Sequence, residues 1–467
     1  MQSIARRIEA LAFAAGCWLD RPTMRPRTPV PSCSLACLVC LAGLAAACAD
    51  DSSSSDEAFT DTGGTLAIDG CDYSVTTRLG AEPPRKATAT RGDDPTPRHV
   101  HLGIVGDPKT SVVAQWRTRD ETTRATVIRY AEGADLTEAQ LSETKTGIQF
   151  GYRATGAQIY RIHQAHLCGL RPGTAYSYQV GSEGSFSPVY TFHTAPDVAA
   201  NPDAEAVLGF VGDSRGGYDV WAQLVGQVQQ HAPDLVLFSG DAITVGITQP
   251  EWEEFLDRAE PLFARVPVVM AHGNHEANAV NYYAQFAMPG DQENFSFDYG
   301  HAHLTVANDT PEDPSAIRGS TRDAIAADFE ASKAARWKLF MHHQAIWSSA
   351  TAHGSNLTLQ QAWMPLVDQY KIDLVLNGHD HEYEISKPLV NGVVQPANTN
   401  ATVYVVGGGA GAELYDVGMG FHTAYSEKTH SAAVVRVTRS LLELDAFRPD
   451  GSAISTPDNR SRFSKTK

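Results

Sequence analysis

“VLGFVGDSR” (residues 207–215) is an apolar run that ends in an aspartate, with an arginine two positions later. Four further runs share this layout of an apolar stretch of strand length followed by polar side chains: “DLVLFSGDA” (234–242), “VPVVMAHGNHE” (266–276), “WKLFMHHQ” (337–344) and “IDLVLNGHDH” (372–381). Short apolar runs bounded by turn residues are typical of buried strands. The five runs therefore predict the strands of one domain.

Helical patterns separate several of these strands. Segments 218–231 and 251–264 carry apolar residues at spacings of three to four, and a similar pattern at 359–370 contains Pro365, which is expected to kink or break the helix. Strands that alternate with helices indicate an α/β sheet, whose ligand sites lie beyond the carboxyl ends of the strands. We therefore expect all five polar clusters at one edge of a domain spanning 203–450, with 451–467 as a tail.

A different pattern precedes this domain. From 97 to 195 the chain consists of short alternating segments separated by turn residues, which predicts an all-β sandwich. The piece “LCGLRPGTAYSYQV” (167–180) has a Pro-Gly turn followed by two tyrosines and is similar to the tyrosine corner of fibronectin-type sandwiches. The predicted fold class is an N-terminal fibronectin-III-like sandwich followed by an α/β domain.

The N-terminus carries the pattern of an export signal. Residues 35–47, “LACLVCLAGLAAA”, form an apolar run too short to span a bilayer comfortably, and two arginines precede it. The small residues before Cys48 resemble a bacterial lipoprotein signal, in which the cysteine is lipidated. We expect 1–48 to be a signal region, with Met24 as an alternative start; plain secretion and an uncleaved anchor helix are the alternatives.

Composition sets further limits. The segment 49–96 is predicted to be an acidic, Ser-rich tether and N-terminal extension. Outside the signal region the sequence has Cys71 and Cys168, which suggest one disulfide in an exported protein, with two buried thiols as the alternative.

The net charge of −17 argues against nucleic-acid binding, which needs clustered Lys and Arg. The expected location is the bacterial cell envelope or the exterior.

The polar groups at the strand ends are suited to metal binding. They comprise carboxylates, an amide and imidazoles: Asp213, Asp241, Asn274, His275, His342, His343, His379 and His381. This donor set suits Fe, Zn or Mn, and the lack of cysteine argues against a thiolate zinc site. The donors outnumber the places on one four-coordinate ion, so we expect two ions about 3.5–4 Å apart that share a carboxylate.

The series “GD…GD…GNHE…H…GHDH” resembles the calcineurin-like metallophosphoesterases, and the sandwich in front gives the order of the purple acid phosphatases. The resemblance covers about 97–450 and implies a ligand set for two ions. The first ion would be bound by Asp213 and His381, the second by Asn274, His342 and His379, and Asp241 would bridge both. His343 is expected to pack beside the site.

The resemblance also implies roles outside the ligand set. His275 would donate a proton to the leaving group, and His353 lies roughly where the purple enzymes carry substrate-contacting histidines. Two positions depart from the pattern. Thr244 replaces the tyrosine that gives the purple enzymes their colour, and Arg215 replaces a metal-binding histidine of other members. Arg215 is expected to bind a phosphate oxygen; a strut to a nearby carboxylate is the alternative.

The sequence thus predicts a phosphoric ester hydrolase in which metal-activated water is the nucleophile. An acid-phosphatase-like phosphomonoesterase is the first hypothesis, a phosphodiesterase on the same scaffold the second, and an inactive surface-binding protein the third. The expected partner is a phosphate-ester small molecule or a phosphorylated macromolecule.

Overall fold

The computed structural model describes residues 63–87, 91–154, 158–396 and 399–467. These residues belong to one compact unit, Glu57–Lys467. The predictions for the signal region, including Met24 and Cys48, and for the first part of the tether lie outside the described residues.

The first half of the described chain is built from β-strands. They are β1 (Gly64–Ala67), β2 (Ser74–Thr77), β3 (Arg85–Lys86), β4 (Pro97–Gly103), β5 (Ser111–Thr118), β6 (Val127–Glu132), β7 (Glu143–Thr146), β8 (Ile148–Arg153), β9 (Ile159–Cys168), β10 (Ala175–Ser182), β11 (Ser185–Phe186) and β12 (Tyr190–His193). A short 3-10 helix, Glu138–Gln140, precedes β7.

These strands form a β-sandwich. One antiparallel sheet has the order β3-β8-β9-β5-β4; the other has the order β11-β10-β6-β7, with β12 also paired to β10. Trp116, Tyr178 and Val180 are among the buried residues of the core between the sheets. The hydroxyl of Tyr176 accepts a hydrogen bond from the backbone N–H of Arg171 at 2.9 Å, as a tyrosine corner requires. The predicted sandwich is confirmed.

The sandwich begins earlier in the chain than 97. Strands β1 and β2 form a hairpin, and β3 joins the sheet beside β8, in a part of the chain for which the composition predicts a tether and extension. Cys71, between β1 and β2, forms a disulfide with Cys168 at the end of β9. The predicted disulfide is confirmed, and it ties the N-terminal hairpin to the sandwich.

The second half alternates strands and helices. The strands are β13 (Ala206–Val211), β14 (Leu235–Phe238), β15 (Val268–Met270), β16 (Phe295–Tyr299), β17 (Ala302–Val306), β18 (Trp337–Met341), β19 (Leu374–Asn377), β20 (Tyr383–Ser386), β21 (Leu389–Val390), β22 (Val393–Val394), β23 (Val403–Gly407), β24 (Thr423–Glu427), β25 (Ala432–Val437), β26 (Leu441–Phe447) and β27 (Phe463–Thr466). The helices are α1 (Tyr218–Gln230), α2 (Gln249–Phe263), α3 (Val280–Gln285), α4 (Ser320–Ala331), α5 (Leu357–Ala362) and α6 (Met364–Tyr370), with a 3-10 helix at Pro314–Ile317.

Two mixed sheets form the centre of this domain. Their strand orders are β15-β14-β13-β25-β26-β27 and β16-β17-β18-β19-β23-β20-β24. A single buried cluster includes residues of both sheets, among them Phe210 and Leu237 of the first and Leu304 and Leu376 of the second. The five apolar runs are β13, β14, β15, β18 and β19, so the predicted α/β class is confirmed.

Local sequence signals explain several element boundaries. The helical pattern at 359–370 divides into α5 and α6 at Trp363, and Pro365 lies in the first turn of α6, where the missing N–H of proline costs no helical hydrogen bond. Strand β27 pairs with β26, so the end of the 451–467 segment is part of the sheet and not a free tail.

Within the described ranges, no helix is long and apolar enough to cross a membrane.

The sandwich packs against α2, the helix that follows the second strand-end cluster. The Tyr178 hydroxyl donates a hydrogen bond to the carbonyl of Ala264 at 2.7 Å, and the Tyr152 hydroxyl donates one to Gln249 at 2.7 Å. Arg117 forms an ion pair with Glu253 at 2.5 Å. The sandwich therefore supports the segment of chain that leads away from Asp241.

Candidate metal centre

The polar residues of the site lie in the loops that follow the parallel strands. Asp213 follows β13, Asp241 follows β14, and His379 follows β19. All three have positive φ values, of 62°, 59° and 68°, in the left-handed region that non-glycine residues seldom adopt. Such strain persists only where the surroundings fix the backbone, and it is common at functional sites.

Four side chains from the loops after β14, β15, β18 and β19 converge on one point. The Nε2 of His343 lies 3.3 Å from Oδ2 of Asp241, 3.0 Å from Oδ1 of Asn274 and 3.2 Å from Nδ1 of His379. One ligand atom each from Asp241, His343 and His379 lies within 4.8 Å of the others. In the described part of the chain this is the one group of three such residues with that spacing.

The donor chemistry fits a metal ion at this point. The Nδ1–H of His343 donates to the carbonyl of Ser239 at 2.7 Å, which directs the Nε2 toward Asp241 and Asn274. A hydrogen bond at one ring nitrogen fixes which nitrogen can bind a metal. Asp241, Asn274, His343 and His379 thus offer carboxylate and amide oxygens with imidazole nitrogens, a set suited to Zn, Mn or Fe.

The electrostatics of the group favour a cation. Burial lowers the pKa of His343, but the carboxylates of Asp241 and Asp213 outweigh burial and raise that pKa well above its usual range. Burial, with a further contribution from His343, lowers the pKa of His379 to about 2. The carboxylates that favour a proton on His343 also attract a metal ion, which needs the deprotonated imidazole.

The predicted role of His342 is not met by the geometry. This residue is fully buried, and its Nδ1 lies 3.0 Å from Oδ2 of Asp309 and 3.1 Å from the Asn377 amide. The following residue, His343, takes the place by Asp241 that the family resemblance implies for His342. Neighbouring residues at a strand end point in different directions, so an error of one position moves the side chain out of the site.

Glu276 is a residue of the site to which sequence reasoning gave no role. Its buried carboxylate accepts hydrogen bonds from the backbone N–H groups of Asp241 (2.9 Å), Ala242 (2.8 Å) and Gly273 (2.7 Å). Burial and the charge of Asp241 raise its pKa to about 7, against the opposing effect of these donors. Glu276 is the last letter of the “GNHE” block, directly after a candidate catalytic histidine.

The residues predicted to bind a first ion, Asp213, Asp241 and His381, do not form such a compact group in the described part of the chain. Both carboxylate oxygens of Asp213 lie 3.0 Å from the backbone nitrogen of His379, which donates to them. The Nε2 of His381 lies 3.6 Å from Oδ1 of Asp213. Arg215 reaches into the same space, with one terminal nitrogen 3.3 Å from Nε2 of His381 and its Nε 3.6 Å from Oδ2 of Asp241.

The other predicted histidines border the group. The Nε2 of His275 lies 3.8 Å from Oδ2 of Asp241, and the exposed ring of His353 lies 4.2 Å from that of His379. His272, which also follows β15, is buried and hydrogen-bonded to the Thr310 hydroxyl at 2.8 Å.

Comparisons with known proteins find relatives of both domains. Residues 206–383 match the calcineurin-like phosphoesterase family, and residues 97–194 match the N-terminal domain of purple acid phosphatases. The chain is 26% identical over 333 residues to an uncharacterised protein of Mycobacterium tuberculosis, a match covering 62% of this chain and 62% of that protein. It is 24% identical to purple acid phosphatase 22 of Arabidopsis thaliana over 68% of this chain and 74% of the relative.

The fold is also similar to a solved structure. A purple acid phosphatase from yellow lupin seeds superposes with a TM-score of 0.67 at 18% identity, covering 79% of this chain and 74% of the lupin chain. The two share the β-rich N-terminal domain and the α/β domain.

Separate substitutions of the two adjacent histidines, His342 and His343, test which one binds metal. His343→Ala should weaken metal binding about 100-fold or more, because a direct ligand contributes at least as much as the outer partners of ligands. His342→Gln, which can keep a hydrogen bond to Asp309, should retain the metal. Metal content after dialysis is the readout, with thermal melting as the control for folding. Loss of metal in His342→Gln and retention in His343→Ala would restore the sequence prediction.

Proposed function

We propose that the chain, which carries a calcineurin-like phosphoesterase domain and a purple acid phosphatase N-terminal domain, hydrolyses phosphate esters at the centre formed by Asp241, Asn274, His343 and His379. The observation that carries the proposal is the convergence of these four side chains, with separations of 3.0–3.3 Å from the His343 Nε2. A bound ion there would neutralise a phosphoryl oxygen and lower the pKa of water.

The side chain of His275 is placed for proton transfer to the leaving group. The Nδ1–H of His275 donates to the carbonyl of Thr244 at 2.5 Å, so the second ring nitrogen, Nε2, faces the centre. The side chain is 27% exposed, which leaves it accessible to a substrate. A protonated Nε2 at this position can donate to the oxygen of the departing alcohol as general acid.

Two further residues are proposed to contact the substrate. His353 is exposed and lies against the His379 ring, at the open side of the centre. Arg215 lies between Asp241 and His381 with 21% of its side chain exposed, so its guanidinium can donate to a phosphate oxygen. The proposed substrate is a phosphate monoester, as the order of sandwich and catalytic domain suggests, of either a small molecule or a macromolecule.

Hydrolysis of 4-nitrophenyl phosphate and of bis(4-nitrophenyl) phosphate tests the activity and the ester class together. We expect turnover of the monoester that is abolished by a chelator and restored by Zn²⁺, Mn²⁺ or iron. Faster turnover of the diester would assign the phosphodiesterase alternative. Metal-loaded protein with no turnover of either ester would favour the inactive surface-binding alternative.

The role of His275 is tested by varying the leaving group. His275→Asn should lower kcat by about 100-fold for an alkyl phosphate, which needs a proton on its leaving oxygen, and by much less for 4-nitrophenyl phosphate. KM and metal content should change little. An equal loss of kcat with both substrates would contradict a general-acid role.

We also propose that the protein is exported, since the Cys71–Cys168 disulfide forms in oxidising compartments. The lipobox-like sequence before Cys48 suggests a lipid anchor. Expressed in a Gram-negative host, the chain should fractionate with membranes, and Cys48→Ser should release it or leave it unprocessed. Recovery of both forms in the soluble periplasmic fraction would exclude the anchor.

A further inference from the structure

The place expected for a first metal ion is lined by Asp213, Asp241 and His381. In the described part of the chain these three do not form a group with ligand atoms within 4.8 Å of one another, whereas Asp241, His343 and His379 do. The ligand atoms of the second set are therefore closer together than those of the first set.

Arg215 occupies the space between the first set of donors. Its Nε is 3.6 Å from Oδ2 of Asp241, and one terminal nitrogen is 3.3 Å from Nε2 of His381. The guanidinium thus contacts two of the three side chains that a first ion would need, on the atoms that would bind it.

The hydrogen bonds of His381 show that its free electron pair is already used. Its Nδ1–H donates to the carbonyl of Glu413 at 2.7 Å, so the neutral ring has its electron pair on Nε2. Arg215 always carries its protons and donates toward that atom. The Nε2 of His343, by contrast, has oxygen and nitrogen ligand atoms around it.

Tyr415 holds this arrangement from a third side. Its hydroxyl accepts a hydrogen bond from Arg215 at 3.4 Å, and its ring stacks on that of His381 with centroids 4.1 Å apart and an interplanar angle of 16°. Its backbone N–H donates to the carbonyl of His381 at 3.0 Å. Arg215 is therefore oriented by side chains from separate loops.

We propose that the Arg215 guanidinium takes the place of the first metal ion, so that the active protein holds a single ion, bound by Asp241, Asn274, His343 and His379. This rests on the proposed phosphoesterase function. A guanidinium supplies one permanent positive charge and several N–H donors in a plane, which suit two oxygens of a phosphoryl group. Arg215 would thus neutralise and orient the phosphate beside Asp241 and His381.

The count of bound ions separates this inference from the proposed function. Protein loaded with excess Mn²⁺ or Zn²⁺ and desalted should contain one ion per chain by native mass spectrometry. Two ions per chain would overturn the role of Arg215 and leave the phosphoesterase proposal intact. A folded protein that binds no ion would contradict both.

Four variants test whether Arg215 occupies the place of the first ion. Arg215→His puts an imidazole where the guanidinium lies and should raise the count from one ion to two, whereas Arg215→Lys, which keeps the charge, should leave it at one. His381→Ala should leave one ion in the otherwise unchanged protein and should return the Arg215→His variant from two ions to one. Melting temperatures establish that each variant is folded.

The opposite pattern would overturn the proposal. If His381→Ala in the otherwise unchanged protein lowers the ion count or abolishes metal binding, His381 is already a ligand and Arg215 does not replace an ion. If folded Arg215→His still holds one ion, the guanidinium is not what keeps the second ion out. A matched loss in His343→Ala is expected under either account and serves as the positive control.

Discussion

The carboxylate of Glu276 is the interaction on which the geometry of the centre depends. Buried without solvent contact, it accepts the N–H groups of Asp241 and Ala242 from one strand-end loop and of Gly273 from the next. A carboxylate hydrogen-bonded by several backbone donors is a strong and directional anchor. It sets the separation of the loops that carry Asp241 and Asn274, and so permits both side chains to meet His343.

Close approach of these loops explains why glycine precedes the functional residues. Gly240 has φ = 98°, and a Cβ there would lie 2.8 Å from both the backbone nitrogen of Gly273 and Nδ1 of His343. A Cβ on Gly273 would lie 2.5 Å from Oε2 of Glu276. The loops are therefore packed backbone to backbone, and this close packing holds Asp241 in its left-handed conformation.

The fold and the edge of the sheet that holds the site could be predicted because the apolar runs have strand length and each ends in polar residues, a pattern typical of buried parallel strands that lead into a ligand site. The choice between His342 and His343 could not be predicted, because both residues follow β18 directly. The path of the backbone after β18 decides which of the two side chains faces Asp241. The role of Tyr415 could not be predicted, because this residue lies in a loop with no local sequence pattern and meets the site through its stacking on His381 and its hydrogen bond with Arg215. The sequence marks Arg215 as a departure from the family pattern, but its position between Asp241 and His381 depends on the tertiary fold.

Anomalous X-ray scattering from crystals of the Mn²⁺- or Zn²⁺-loaded protein tests the central claim most directly. The account predicts one peak within bonding distance of Asp241, Asn274, His343 and His379, with guanidinium density of Arg215 between Asp241 and His381. A second peak of comparable height beside Asp213 and His381, with Arg215 turned away, would contradict it, as would a peak on His342.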